Sequence, residues 1–267
     1  MIGEFLRAEG IDCFGELLRR ELVFSDEKRL SRLEERMGRV ESAVLFLMPY
    51  FAGEAPTNLS YYARPLDYHG FVKELSERLK GYLEERGEAL GFALLADTSP
   101  LQERLCAARA GLGVLGDNGL LIHPRYGSYV FIGAILLSRP IAPAPAVKEG
   151  ECLRCGACAR ACPTAALREG KREECLSHLT QKKKRTPEED ALIRRGPYRW
   201  GCDLCQTVCP MNRKAEVTPI PYFLKDRLES LLPEHAALPE EEFACRAFSW
   251  RGREIIEKNL SVKGEET

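Results

Sequence analysis
Eight of the chain's eleven cysteines fall between positions 152 and 209, in a pattern that dictates what that stretch can fold around. The first block, Cys152-Leu-Arg-Cys155-Gly-Ala-Cys158-Ala-Arg-Ala-Cys162-Pro163, is the C-x2-C-x2-C-x3-C-P run of bacterial ferredoxins. Three thiolates at intervals of three residues wrap one cluster, while the fourth, carried on the following helical turn, points away to a second cluster. Pro163 ends that turn. The second block, Cys202-Asp-Leu-Cys205-Gln-Thr-Val-Cys209-Pro210, is one cysteine short of a complete run, and Cys175 between the blocks brings the count to eight. The crossing rule then assigns Cys152, Cys155, Cys158 and Cys209 to one [4Fe–4S] cluster and Cys162, Cys175, Cys202 and Cys205 to the other. Pairs of the C-x2-C type also build zinc ribbons, but two runs closed by Cys-Pro with eight thiols favour iron and sulfide. Cys13, Cys106 and Cys245 lie outside the blocks and read as small buried apolar residues.

The rest of the chain has to house what those clusters serve. At 267 residues and 45% apolar composition it has material for one large or two ordinary domains. Lys plus Arg number 39 against 40 Asp plus Glu, so any polyanionic partner must be held by a local patch. No apolar stretch of 18 or more residues occurs, and Met1 to Arg20 mixes acids with bases unlike a signal peptide. The expectation is a cytoplasmic protein without a membrane partner, in a compartment reducing enough for metal ligation.

Residues 1 to 40 read as two amphipathic helices with Leu17, Leu18, Leu22, Leu30 and Leu33 turned inward. Ser42 to Tyr50, Gly91 to Ala96 and Tyr129 to Leu137 read as strands, and Tyr68 to Arg86 and Pro100 to Ala110 as helices, the longer with apolar positions at Phe71, Val72, Leu75, Leu79 and Leu83. Strands alternating with helices predict an α/β or α+β layer over residues 1–140. The proline–alanine stretch Pro140 to Val147 reads as a stiff connector to a two-cluster, ferredoxin-like domain over 148–215. Residues 216–267 read as a charged helical tail packing back on the body.

A layer attached to two clusters suggests that it holds an electron acceptor. Gly111-Leu-Gly113-Val-Leu-Gly116 has dinucleotide-loop spacing but follows a helix instead of a strand, which argues against a nicotinamide. Asp67-Tyr68-His69 begins the Asp-x-His-x-x-Gly motif of one cobalamin class, but position 72 is valine. Taken in order, Ala96-Asp-Thr-Ser-Pro100, Ala108-Arg-Ala-Gly-Leu-Gly113, Asn118-Gly-Leu-Leu-Ile122, Tyr126-Gly-Ser-Tyr-Val-Phe-Ile-Gly133, the cysteine blocks and Trp200-Gly-Cys-Asp-Leu-Cys-Gln206 resemble the epoxyqueuosine reductase family over about residues 42 to 212. That family reduces the epoxide of epoxyqueuosine in tRNA to queuosine with two clusters and cobalamin, on a flavin-free domain related to nitroreductases and reductive dehalogenases.

The resemblance therefore implies cobalamin, and it places Asp97 at the family's general acid. A carboxyl group raised in pKa suits protonation of a departing oxygen. Helix capping before Thr98-Ser99-Pro100 is the competing role for Asp97. Tyr68 and His69 are further candidates for substrate contact, and Thr98, Ser99, Gly113, Gly116, Tyr129, Ser177 and Thr180 for corrin contact. The resemblance also implies a flavodoxin or ferredoxin as electron donor.

For tRNA, the basic residues Lys182-Lys-Lys-Arg185, Arg194, Arg195 and Arg199 can meet phosphates, and Tyr198 and Trp200 can stack on bases. Two departures stand out. Asp117 replaces the lysine usual in the family, and the chain reads as a short form without the family's C-terminal helical repeats.

Overall fold
The computed structural model describes residues 1–141 and 150–261. Its centre is a four-stranded antiparallel sheet in the order β1-β2-β6-β3, built from β1 (Phe14–Leu18), β2 (Ser42–Pro49), β3 (Phe92–Ala96) and β6 (Val130–Leu137). A two-stranded hairpin, β4 (Val114–Leu115) with β5 (Leu121–Ile122), stands apart from it. β2 pairs with β6 along its whole length, from Ser42 opposite Leu137 to Pro49 opposite Val130. A strand covered on both faces must be apolar at every position, which is why this run lacks the polar alternation of a half-exposed strand.

Helices close both faces. α1 (Ile2–Ala8) and α3 (Tyr68–Glu85) cover the face carrying Val44, Phe46, Met48, Leu94 and Ile135. α2 (Glu27–Met37) and α4 (Glu103–Arg109) lie over Ala43, Leu45, Leu47, Ala134 and Leu136. α3 starts where Asp67 accepts a hydrogen bond from the His69 amide and buries the predicted stripe Phe71, Val72, Leu75, Leu79 and Leu83. Gly133 faces Phe46 across β2 and β6; a Cβ there would lie 2.2 Å from the phenyl ring, so the glycine lets the ring cross the strand.

The amino-terminal reading needs correction. Leu17 and Leu18, expected on a helix, lie in β1, paired antiparallel to Ala43 and Ser42. Gly15 sits where a Cβ would strike the Ala110 carbonyl oxygen at 2.2 Å, so pairing with β2 and close packing on α4 decide the local structure over propensity. Leu22 is buried just after a 3-10 turn, Leu30 is buried on α2, and Leu33 is partly buried beside it. The proline–alanine connector falls largely on residues 142–149, outside the described residues.

The cysteine-bearing stretch folds into short helices, α5 (Ala157–Ala161), α6 (Ala166–Glu169), α7 (Leu176–Gln181), α8 (Pro187–Arg195) and α9 (Leu204–Thr207). α8 opens with a capping box, Thr186 and Glu189 exchanging side-chain and backbone hydrogen bonds ahead of Pro187. After it the chain runs through turns and 3-10 segments to α10 (Glu240–Ala244) and α11 (Arg253–Ser261). This tail is less helical than expected, but it buries Phe243, Phe248, Ile255 and Ile256 with Trp200, Leu59 and Ala63.

Candidate functional site
Cys152, Cys155, Cys158 and Cys209 line one recess together with Gly116, Asp117, Asn118 and Ile122 of the β4–β5 hairpin. The local backbone explains the convergence. Arg154 and Gly156 adopt positive φ (49° and 69°), curling the chain between successive cysteines, and α9 ends in a turn that presents Cys209. In the second predicted set, burial pushes the Cys202 thiol up to about 12, with the charges of Cys175 and Cys162 acting in the same direction. The Cys205 thiol is raised by burial and then by Cys202 and Cys175. These thiols are costly to ionise alone and become thiolates only against a bound cation. Among the described residues no three His, Cys, Asp or Glu side chains converge closely enough for a single ion. Sulfurs spread around the rim of a recess suit a multi-iron cluster better than one zinc.

A buried polar network fastens this stretch to the layered body. Asp203, between two cysteines of the second set, accepts hydrogen bonds from the Tyr61 amide (2.7 Å) and from Gln206 Nε2 (2.8 Å). Ser128 donates its hydroxyl to Gln206 Oε1 (2.9 Å), and Asn212 Nδ2 donates to both Ser128 Oγ and the Gln206 carbonyl (2.8 Å each). The Ser128 amide returns a bond to Asn212 Oδ1 at 2.9 Å. Ser128, Asp203, Gln206 and Asn212 are all buried, so the fit is set by hydrogen bonds that water cannot replace.

The second feature is an acidic group at the end of β3, where Asp97 and Glu103 act on each other. Asp97 is exposed on a turn with φ of +59°, a conformation that costs a non-glycine residue energy and that Asp tolerates better than most. It does not cap the following helix, because α4 begins at Glu103 behind Gln102, with no side-chain cap. Ser99 Oγ instead accepts from the Leu101 amide, and Arg29 holds the Thr98 carbonyl at 2.7 Å. Behind Asp97, Glu103 has a buried carboxyl oxygen, Oε1, with no hydrogen-bond partner. Burial pushes this acid up to about 7; hydrogen bonding from Ser99 opposes the rise and the negative charge of Asp97 adds to it.

Tyr68 stacks on Phe131 with ring centres 4.1 Å apart. Its phenol is held neutral by burial and by the charges of Asp97, Asp67 and Glu103. The His69 ring pairs with Asp67 at 2.8 Å, which raises its pKa, with a smaller contribution from Asp97. Asp97, Glu103, Tyr68 and His69 thus form one electrostatic group. Arg104, next to Glu103, donates to the Gly119 carbonyl, tying the helix that carries Glu103 to the hairpin that walls the cysteine recess.

The remaining predicted residues are placed unevenly. Gly116 lines the recess. Gly113 packs against its own hairpin, where a Cβ would meet the Ile122 carbonyl oxygen at 2.4 Å. Tyr129 is buried against Phe51, Tyr61 and Tyr50. Thr180 is buried, its Oγ1 donating to the Ser177 carbonyl within α7 and accepting from the Gly201 amide, which ties α7 to the segment before Cys202.

Of the basic residues, Lys183, Lys184, Arg194 and Arg195 are exposed. Lys182 pairs with Glu189 and Arg185 with Asp190, each at 2.6 Å, and Arg199 is spent on the carbonyls of Ile193, Gly196 and Tyr198. Tyr198 and Trp200, the candidate stacking partners for bases, are both buried, Trp200 under the tail and Tyr198 beside Asp203 and Cys202. Cys106 is buried as expected, whereas Cys245 is exposed.

Sequence reading passed over Glu103, Asn118 and Asp203. An acid in the first turn of a helix reads as a complement to the helix dipole, and only burial marks Glu103 as different.

Fold and recess together define a two-cluster iron–sulfur protein built on a mixed α/β layer. The model of the 4Fe-4S double cluster binding domain matches residues 151–212. The curated epoxyqueuosine reductase of Listeria monocytogenes is 36% identical over 206 residues, 74% of this chain and 54% of that protein. Among solved structures, the epoxyqueuosine reductase of Streptococcus thermophilus superposes with a TM-score of 0.77 at 25% identity, covering 98% of this chain and 79% of that one. An epoxyqueuosine reductase solved with an epoxyqueuosine-modified tRNA-Tyr stem loop gives 0.76 at 26% identity, covering 97% and 78%. The chain belongs to the epoxyqueuosine reductase family, and it spans about half the length of the curated relatives it matches. Among the described residues no helix is long and apolar enough to cross a membrane.

Proposed function
We propose that this protein is a cytoplasmic, cobalamin-dependent iron–sulfur reductase that converts epoxyqueuosine in tRNA to queuosine. The observation that carries the reading is the shared wall. The hairpin that closes the recess of Cys152, Cys155, Cys158 and Cys209 is tied through Arg104 to the helix that carries Glu103, so the electron supply and the proton supply adjoin. In this reading residues 1–140 are the nitroreductase-like cofactor body, 148–215 the double-cluster domain and 216–267 the covering tail. One cluster takes Cys152, Cys155, Cys158 and Cys209 and the other Cys162, Cys175, Cys202 and Cys205, fed by a flavodoxin- or ferredoxin-like donor.

Removing an epoxide oxygen as water, leaving an alkene, takes two electrons and two protons. Cobalamin, when bound, would supply a low-valent metal for the two-electron cleavage of a C–O bond. The residues at the end of β3 suit such a polar-edged group: Asp97 and Thr98 are exposed, and Glu103 on the adjoining helix keeps a buried carboxyl oxygen, Oε1, without a partner. Thr98, Ser99, Gly116 and Ser177 would hold it. Asp97 delivers the first proton to the departing oxygen. Glu103, poised near neutrality by burial, supplies the second. Tyr68, kept neutral, remains a hydrogen-bond donor throughout. Lys183, Lys184, Arg194 and Arg195 are the exposed cations left for RNA phosphates.

The test is anaerobic incubation of the cobalamin-loaded protein with a chemical reductant and an epoxyqueuosine-bearing tRNA stem loop, read by mass spectrometry of the released nucleoside. Loss of one oxygen atom is expected. Unchanged epoxyqueuosine with fully loaded protein would refute the reading.

A further inference from the structure
Asn118 lines the recess of Cys152, Cys155, Cys158 and Cys209. Its side chain is pinned from one end only. The carboxamide oxygen accepts from the Leu120 amide at 3.2 Å, which fixes the orientation of the amide. Nδ2 is buried and has no hydrogen-bond partner.

The turn that carries it is held firmly. The Gly116 amide donates to the Leu120 carbonyl (2.9 Å), the Gly119 amide to the Gly116 carbonyl (2.8 Å), and Arg104 grips the Gly119 carbonyl. Gly116 leaves room for the amide, since a Cβ there would lie 2.6 Å from Asn118 Oδ1. A rigid turn that buries an unsatisfied NH2 group bears its desolvation cost unless something in the recess accepts from it.

We infer that Asn118 donates an N–H···S hydrogen bond through Nδ2 to a sulfur of the cluster held by Cys152, Cys155, Cys158 and Cys209, and thereby sets that cluster's reduction potential. The inference rests on the ligand set proposed above. Within that set the recess offers sulfur as the acceptor, both inorganic sulfide and cysteinyl thiolate. Reduction adds negative charge to the cluster, so a donor at its sulfur holds the reduced state more tightly than the oxidised one. Asn118 is thus a positioning and tuning residue in the wall of that recess.

The test compares the anaerobically purified holo-protein with Asn118→Leu and Asn118→Ala in redox titrations followed by electron paramagnetic resonance. Both variants should shift the one-electron equilibrium of one cluster about tenfold toward the oxidised form, about 59 mV lower in midpoint, and leave the other cluster unmoved. In wild type labelled with 15N-asparagine, the reduced cluster should also show a nitrogen coupling that both variants lose. That second readout stands on wild type alone should a variant fail to load iron. Unshifted potentials in variants that keep their iron, or no nitrogen coupling in wild type, would overturn the inference. Failure of the ligand set is recognised separately, by Cys209→Ser retaining the full iron content and the wild-type spectrum.

Discussion

Replacing Asp203 by alanine tests whether the buried network fixes the cluster-bearing stretch to the body. The substitution strands two buried donors, the Tyr61 amide at 2.7 Å and Gln206 Nε2 at 2.8 Å. Each stranded donor costs about 1–3 kcal/mol. Relief from burying the Asp203 carboxyl, whose pKa is pushed up to about 6 mainly by that burial, offsets part of this. The net loss is about 1–4 kcal/mol, a large share of the roughly 5–15 kcal/mol that holds a typical protein together. At about 2–4 °C per kcal/mol for a chain of this size, anaerobic thermal unfolding of the holo-protein should begin roughly 2–15 °C lower. The visible absorbance of the clusters should be lost together with the far-ultraviolet signal, because one network joins both parts. An unchanged midpoint in a variant with full iron content would show that the network carries no net stability, and would refute the argument.

Asp97→Asn should lower turnover on the modified stem loop by about 100-fold or more while leaving iron content and RNA affinity intact, since general-acid catalysis contributes about 10²–10⁴-fold; a rate within twofold of wild type would remove Asp97 from proton delivery. For Glu103, folding favours the neutral acid, its pKa rising from 4.5 to about 7. Its stabilisation is therefore complete below about pH 4.5 and is lost as pH rises through 7, on the order of 3 kcal/mol in all. Glu103→Gln should flatten that decline in unfolding midpoints measured from pH 5 to 8, and should remove the fall in kcat/KM above pH 7; parallel pH profiles for the two proteins would contradict both. Gly133→Ala forces a methyl group into the Phe46 ring, 2.2 Å away, and should cost about 1–3 kcal/mol by overpacking. Thermal unfolding checks this, and an unshifted midpoint would mean the ring moves aside freely.

What the sequence disclosed depended on how local the cause was. β2 and α3 were legible because an unbroken apolar run and a 3.6-residue stripe carry their own period, and the meeting of Cys152, Cys155, Cys158 and Cys209 at one recess because ligand spacing is a geometric requirement. β1 was not legible. Leu17 and Leu18 become strand residues through pairing with Ala43 and Ser42, a partner outside any local window. The antiparallel order β1-β2-β6-β3 was hidden for the same reason, since β6 inserts between strands far from it in the chain. At the site, Asp97 was named from its motif, but its escape from helix capping depends on α4 starting six residues later. Glu103 and Asn118 look ordinary in sequence, and burial with an unmatched polar atom is what distinguishes them. Burial also removed Tyr198 and Trp200 from the RNA-facing residues; the tail was expected to dock, but that it would dock on Trp200 depends on contacts with no local period.

The most direct test of the central claim is the iron, sulfide and cobalt content, with the visible spectrum, of protein purified without oxygen from cells supplied with cobalamin. The account predicts about eight irons and eight sulfides for two [4Fe–4S] clusters, with one corrin per chain. Eight irons with no corrin, even after incubation with free cobalamin, would contradict the cobalamin-dependent reductase and leave a two-cluster electron carrier in its place.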